Sequence, residues 1–166
     1  MRKMTIGEAQ RLTAPNPFCL IGTLRPDGGT NLTAISWWNY LSNKELALSV
    51  AISRKSWSNE LIKATGVFTL NVVAEGMEEA AFSCGTCSGR SKDKAKEFGI
   101  VLEPGHEGEP SMVTESVVSF FCRLKEAVEV GDHTLFIADI ERIVGNPKKR
   151  ALFAVNGYTA LKAFSS

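Results

Sequence analysis

The sequence predicts a mainly β domain: a Greek-key barrel of six or seven largely antiparallel strands with two or three helices inserted. Three observations carry that expectation. Residues 46–52 (LALSVAI) alternate apolar and small residues with the period of a strand. Two β-rich runs are joined by Gly131-Asp132, a two-residue connection that signals a hairpin. The connections are short, so neighbouring strands run antiparallel, and closing them into a barrel removes exposed sheet edges.

The elements follow in order. Residues 5–12 suit a short helix, with Thr5 as its cap and Glu8 three positions on. Pro15 and Pro17 then interrupt the chain, and residues 18–25 (FCLIGTLR) read as a buried strand. In Pro26-Asp27-Gly28-Gly29 the proline presets φ, the aspartate tolerates the bend and the glycines accept positive φ. A second strand leaves this turn at Thr30 and runs through Ile35. In the third strand, 46–52, Leu46, Leu48, Val50 and Ile52 point one way, and Ala47, Ser49 and Ala51 the other. A face of only alanine and serine is either packed closely or kept low for a ligand.

Residues 57–65 (WSNELIKAT) suit a helix capped by Ser56 or Ser58 and closed by Gly66 at its C′ position. Residues 67–73 (VFTLNVV) form a strand, and residues 75–100 a polar, partly helical excursion. Residues 101–112 read as a loop with His106 exposed. Residues 117–130 and 133–144 are the arms of the long hairpin. Residues 147–150 (PKKR) make a solvated basic loop. Residues 151–155 are a last strand, with Asn156-Gly157 turning toward Tyr158.

With 166 residues, the chain is expected to be a single domain over 1–166, burying roughly 70% of its unfolded surface. A net charge of +1 favours neither nucleic acid nor an anionic membrane. No run approaches the ~20 apolar residues of a membrane span, and the N-terminus has no signal-peptide core, so a cytoplasmic location is expected. Cys19, Cys84, Cys87 and Cys122 are too few and scattered for a disulfide scaffold. Cys122 shares a strand face with Phe120 and Leu124, as a core thiol would.

Residues 31–66 are the densest segment. Asn31, Thr33 and Ser36 offer hydroxyl and amide groups, Trp37, Trp38 and Tyr40 follow, and Ser53-Arg54-Lys55-Ser56 stands directly before the 57–65 helix. Cations at a helix N-terminus oppose the macrodipole, at a cost of some tenths of a kcal/mol each. Two readings fit Arg54 and Lys55: they are solvated, or they hold an anion, most simply a phosphate, with the serine hydroxyls and free amides. The combination suggests a site for a flat, anionic cofactor.

Two further features are open. Cys84-Gly85-Thr86-Cys87 reads most simply as two cysteines in a glycine-rich turn; the same spacing suits a redox dithiol. A zinc site lacks a second CxxC or paired histidines, so no metal is expected. His133 begins a strand beside a tight turn and, taken alone, is structural or solvated.

Five ordered features resemble the flavin reductase-like family, the FMN-binding split barrels, and within it the flavoredoxin-type branch. They are the strand from Asn16 to Thr23; Asn31 to Trp37 (NLTAISW); Ser53 to Ser56 with Glu60-Leu61-Ile62 and the run from Gly66 to Asn71; Ser88-Gly89-Arg90 with Asp93-Lys94; and Gly131-Asp132-His133. The resemblance covers Asn16 to about Leu161 and implies a homodimer with FMN near the subunit interface. It implies Ser53, Arg54, Lys55 and Ser56 around the phosphate, and Asn31, Thr33, Ala34, Ile35, Ser36 and Trp37 along the ribityl chain and ring. Ser88, Gly89, Arg90 and Lys94 would approach the cofactor, and His133 would stand near the flavin's reactive face or the nicotinamide. The implied activity is an FMN-dependent oxidoreductase that takes electrons from NAD(P)H or a protein donor and passes them to flavin, metal or protein acceptors. The alternative is a non-enzymatic flavin or haem binder or electron carrier of the same fold. The sequence shows no acid–base triad and no G-x-G-x-x-G after a strand, so a Rossmann-bound NAD is not indicated. The CxxC stands apart from the family motifs, and the consecutive Trp37 and Trp38 would shield the flavin and change which donors reach it.

Overall fold

Two tight connections, Arg25–Gly29 and Gly131-Asp132, fold the chain into the hairpins from which the main sheet grows. A computed structural model describes residues 2–157 and 159–164, so Tyr158 lies outside the described residues. The elements are α1 (Ile6–Leu12), β1 (Asn16–Pro17), β2 (Cys19–Leu24), β3 (Thr30–Ile35), β4 (Trp38–Ser42), β5 (Ala47–Ser53), α2 (Trp57–Thr65), β6 (Val67–Val73) and α3 (Glu78–Ser83). They continue with α4 (Lys94–Glu97), β7 (Leu102–Glu103), β8 (Met112–Val113), β9 (Ser116–Val130), β10 (His133–Gly145), β11 (Leu152–Val155) and β12 (Ala160–Ala163).

Seven strands form one antiparallel sheet in the order β3-β2-β6-β9-β10-β5-β4, the mainly β split barrel the sequence predicts. The main core holds Ile21, Leu48, Val50, Ile52, Ile62, Phe68, Leu70, Phe120 and Phe136, contributed by β2, β5, α2, β6, β9 and β10. Cys122 is buried in it with Phe120, and Leu124 packs against it. A second core gathers Phe18, Leu20, Leu32, Val73, Ala81, Cys84 and Leu152 beneath α3 and the β11–β12 pair.

Asn71 joins strands that hydrophobic contacts alone would leave loosely registered. Its amide nitrogen donates to the Leu20 carbonyl at 2.9 Å and to Thr69 Oγ1 at 3.1 Å. Its carbonyl oxygen accepts from the Val113 amide at 3.0 Å and from Ser119 Oγ at 2.8 Å. All four hydrogen-bonding positions of a fully buried amide are thus used.

Local chemistry explains most boundaries. Thr5 and Glu8 form a reciprocal capping box at α1. Gly66 ends α2 in the left-handed conformation at φ 70°, donating its amide to the Ile62 carbonyl. The structure departs from the sequence reading at five places. Leu46 is not in the strand face with Leu48: it sits in the preceding turn at φ 47° and is half exposed. Residues 38–42 form an edge strand, β4, and residues 160–163 a further one, β12. Within the 101–112 loop, Leu102–Glu103 pairs with Met112–Val113. Neither Ser56 nor Ser58 caps α2 by its side chain: Ser56 occupies the N-cap without a side-chain bond, and Ser58 is turned inward. Among the described residues no helix is long and apolar enough to cross a membrane.

Candidate functional site

Strand pairing brings together residues far apart in the chain. Ser53, the last residue of β5, is paired with His133, the first of β10. The Arg54 amide donates to the Asp132 carbonyl at 2.9 Å, so the Gly131-Asp132 turn lies against the loop entering α2. One strand over, the Ala51 amide donates to the Trp37 carbonyl at 2.9 Å, which sets the Trp37 indole against His133. His133 Nδ1 is 2.8 Å from Asp132 Oδ1, and this hydrogen bond is the main cause that holds the Asp132 carboxyl below its ordinary value.

These segments surround a cavity of about 530 Å³. β3 supplies Asn31, Thr33, Ala34 and Ile35 to its wall; β5 supplies Ala51, Ile52 and Ser53; the start of α2 supplies Lys55, Ser56, Trp57 and Ser58. The turn from Cys84 to Gly89 closes one side, and Trp37, Lys94 and His133 complete the lining. Asn31 is locked rather than free: its amide donates to Ser58 Oγ at 2.8 Å and to Thr23 Oγ1 at 3.2 Å. Gly89 lies so close above it that a Cβ there would fall 1.7 Å from Asn31 Oδ1. The first amides of α2, at Trp57 and Ser58, have no acceptor within their own helix, as in any α-helix.

The electrostatics of the lining are one-sided. Among the described residues it contains Lys55 and Lys94 and no carboxylate. Lys94 is buried, with Nζ donating to the Cys84 carbonyl at 2.7 Å. Burial is the main influence and lowers its pKa, opposed only by the charge that Cys84 and Cys87 carry as thiolates. A buried cation with a carbonyl partner but no counter-ion among the described residues favours an anionic or electron-rich ligand.

Of the residues singled out in the sequence, all but three line this cavity. Ser36 is buried behind Trp37 and faces smaller clefts at Asn16 and Ser49. The Arg54 guanidinium turns away to Glu129, at 3.2 Å, and to the Gly131 carbonyl, at 3.3 Å. Arg90 pairs with Glu60 and lies 5.7 Å over the Trp57 ring, on the outer side of the 88–90 loop. Sequence reasoning overlooked Ile52, Trp57 and Ser58 as lining groups and left the Cys84–Cys87 turn apart from the site. The strand alternation marks Ile52 as core, and the helix pattern hides which of its first residues face inward.

The model of the flavin reductase-like domain matches residues 11–162. The chain belongs to the flavin reductase-like family. Two uncharacterised proteins are relatives in sequence: one of Pyrococcus abyssi, 30% identical over 110 residues, and one of Archaeoglobus fulgidus, 29% identical over 110 residues. Each match takes in 66% of this chain but only 63% and 62% of those proteins, so the chain spans less than two thirds of their length.

Among solved structures, the flavoredoxin of Methanosarcina acetivorans superposes with a TM-score of 0.85 at 21% identity, covering 100% of this chain and 93% of that one. An NADH:FAD oxidoreductase of Streptomyces globisporus gives 0.87 at 14% identity, covering 100% and 99%. An FMN-binding protein of Thermus thermophilus gives 0.85 at 20% identity, covering 100% of both chains. At these identities the likeness is one of fold. The family and its flavin-binding neighbours support a flavin cofactor, and the site's own chemistry fits one. The small Ala34 and Ala51 side chains leave room beside the wall, and the cationic, carboxylate-free lining suits a phosphorylated ligand.

Proposed function

We propose that the chain is an FMN-dependent oxidoreductase of the NAD(P)H:flavin reductase type, working as a cytoplasmic homodimer. The observation that carries this reading is the cavity that ends on the N-terminus of α2, with lysines and no carboxylate in its described lining. Ser53, Lys55 and Ser56, together with the free amides at the start of α2, would hold the phosphate, where the helix dipole and the Lys55 ammonium both favour negative charge. Arg54, paired to Glu129, contributes only long-range charge. Asn31, Thr33, Ala34 and Ile35 would line the ribityl chain and ring, with Lys94, Ser88 and Gly89 opposite and Trp37 and His133 at the mouth.

FMN, when bound, supplies the exchange of electrons in pairs or singly. The chain's own residues then bind, orient and exclude water. Asp132 fixes the orientation of His133 through the 2.8 Å contact, and Trp37 limits what can reach the ring from that side. Electrons from NAD(P)H would pass to flavin, metal or protein acceptors. The exposed Tyr40 and Leu41 on the edge strand β4, beside exposed Leu46, support a surface that a second copy covers.

The test is anaerobic mixing of flavin-loaded protein with NADH and with NADPH. Bleaching of the flavin band by at least one nucleotide is expected. A band that persists with both identifies a carrier rather than a nicotinamide-dependent reductase.

A further inference from the structure

We propose that Cys84 and Cys87 form a redox dithiol that exchanges an electron pair with the flavin held in the same cavity, an inference that rests on the flavin reading above. Both cysteines line the cavity, together with Gly85 and Thr86 between them. The turn that carries them lies directly against β3: a Cβ on Gly85 would stand 3.3 Å from the Ala34 Cβ, on the wall assigned to the flavin ring. The CxxC is therefore part of the site's surface and not a remote turn.

The four cysteines divide by environment. Cys19 and Cys122 are enclosed in the main core, where they serve as small apolar side chains. Cys84 is fully buried in the second core, and Cys87 is half buried at its edge. Such a pair has one sheltered and one accessible sulfur, the arrangement a dithiol needs to react through one member and close through the other. Lys94 binds the Cys84 carbonyl at 2.7 Å and so fixes the turn while placing a cation beside the pair. Burial pushes the Cys84 thiol up to about 12 against the opposing charge of Lys94, so in the dithiol state Cys84 keeps its proton and Cys87 is the sulfur that reagents reach.

The step balances without a further reactant. In one direction the Cys84–Cys87 disulfide takes up two electrons from reduced FMN and two protons, its S–S bond breaks, and two thiols and oxidised FMN result. In the other, the two thiols close to the disulfide, release two protons and pass two electrons to oxidised FMN. The couple then stores a second electron pair beside the flavin and opens the site to thiol or disulfide partners.

The test combines two measurements on the full chain. First, protein without flavin is equilibrated in glutathione buffers, alkylated and mapped by mass spectrometry. A Cys84–Cys87 disulfide is expected, with Cys19 and Cys122 remaining free thiols; absence of that disulfide under oxidising conditions overturns the proposal. Second, oxidised, flavin-loaded protein is titrated anaerobically with dithionite, alongside Cys87→Ser and, because Cys84 is buried, a separate Cys84→Ala variant. The unaltered protein is expected to consume twice the reducing equivalents per flavin of either variant, and equal consumption overturns the proposal. Protein that takes up no flavin overturns the reading of the site itself, which absorbance reveals before any thiol is counted.

Discussion

Trp37 and His133 meet with ring centroids 5.0 Å apart and planes tilted by 39°. They are distant in sequence and adjacent because β5 pairs with both neighbourhoods: Ala51 with the Trp37 carbonyl, Ser53 with His133. An aromatic pair of this kind contributes about 0.5–1.5 kcal/mol beyond its buried area. Trp37→Ala is expected to lower the melting temperature slightly and to open the mouth of the cavity. Iodide quenching of bound-flavin fluorescence should become more efficient; unchanged quenching would place Trp37 away from the ring.

Asn71 carries a prediction for the fold alone. Removing its amide leaves the Leu20 carbonyl, the Val113 amide and the Ser119 hydroxyl without their partner in a dry interior. Asn71→Ala is expected to cost about 3 kcal/mol in urea denaturation, from the unpaired polar groups and the cavity left behind. A loss below about 0.5 kcal/mol would show that water replaces the amide at no cost.

Lys94 links the site to pH. Its folded pKa lies below the ordinary 10.5, with burial the main cause, so the unfolded chain holds that proton more tightly. Between the lowered value and 10.5 the unfolded state therefore binds more protons, and stability rises with pH across that window. Lys94→Met is expected to remove this alkaline rise and to weaken FMN binding by about 10- to 100-fold, the loss of one charge-assisted contact. Matched pH–stability curves and flavin titrations of the two proteins check both statements.

Gly89 is constrained by contact rather than by backbone angle. A methyl group there would stand 1.7 Å from Asn31 Oδ1 and 3.3 Å from the Trp57 ring. Asn31 is held by Ser58 and Thr23 and cannot retreat without losing those bonds. Gly89→Ala should therefore displace the exposed 88–90 loop, leave the core melting transition nearly unchanged and reduce flavin affinity about 10-fold. Unaltered affinity in a titration would separate the loop from the ligand.

Much of this was legible in residue order, and the exceptions have physical reasons. Period-two alternation and the Gly-Asp turn marked β5, β9 and β10, and Gly66 marked the end of α2. β4 was overlooked because its residues are mostly exposed: an edge strand carries no buried face to impose alternation, and its only hint was Trp38 and Tyr40. Leu46 fitted the alternation by residue type, but the turn before β5 takes it out of the sheet at φ 47°. At the site, motif order located the β3 wall, the α2 entrance, Lys94 and His133. Side-chain direction was beyond its reach. Arg54 turns to Glu129 because β9 brings that carboxylate alongside, and Arg90 turns outward to Glu60 on α2. Such partners come from other elements, and no local pattern announces them.

Binding of FMN through its phosphate at the start of α2 makes riboflavin, which lacks that group, the decisive comparison. Flavin-free protein is titrated to equilibrium with FMN and, separately, with riboflavin. One FMN per chain is expected, in a yellow complex bound at least about 100-fold tighter than riboflavin, the worth of charge-assisted bonds to the phosphate. Equal affinity for the two flavins, or no binding of either, would contradict it.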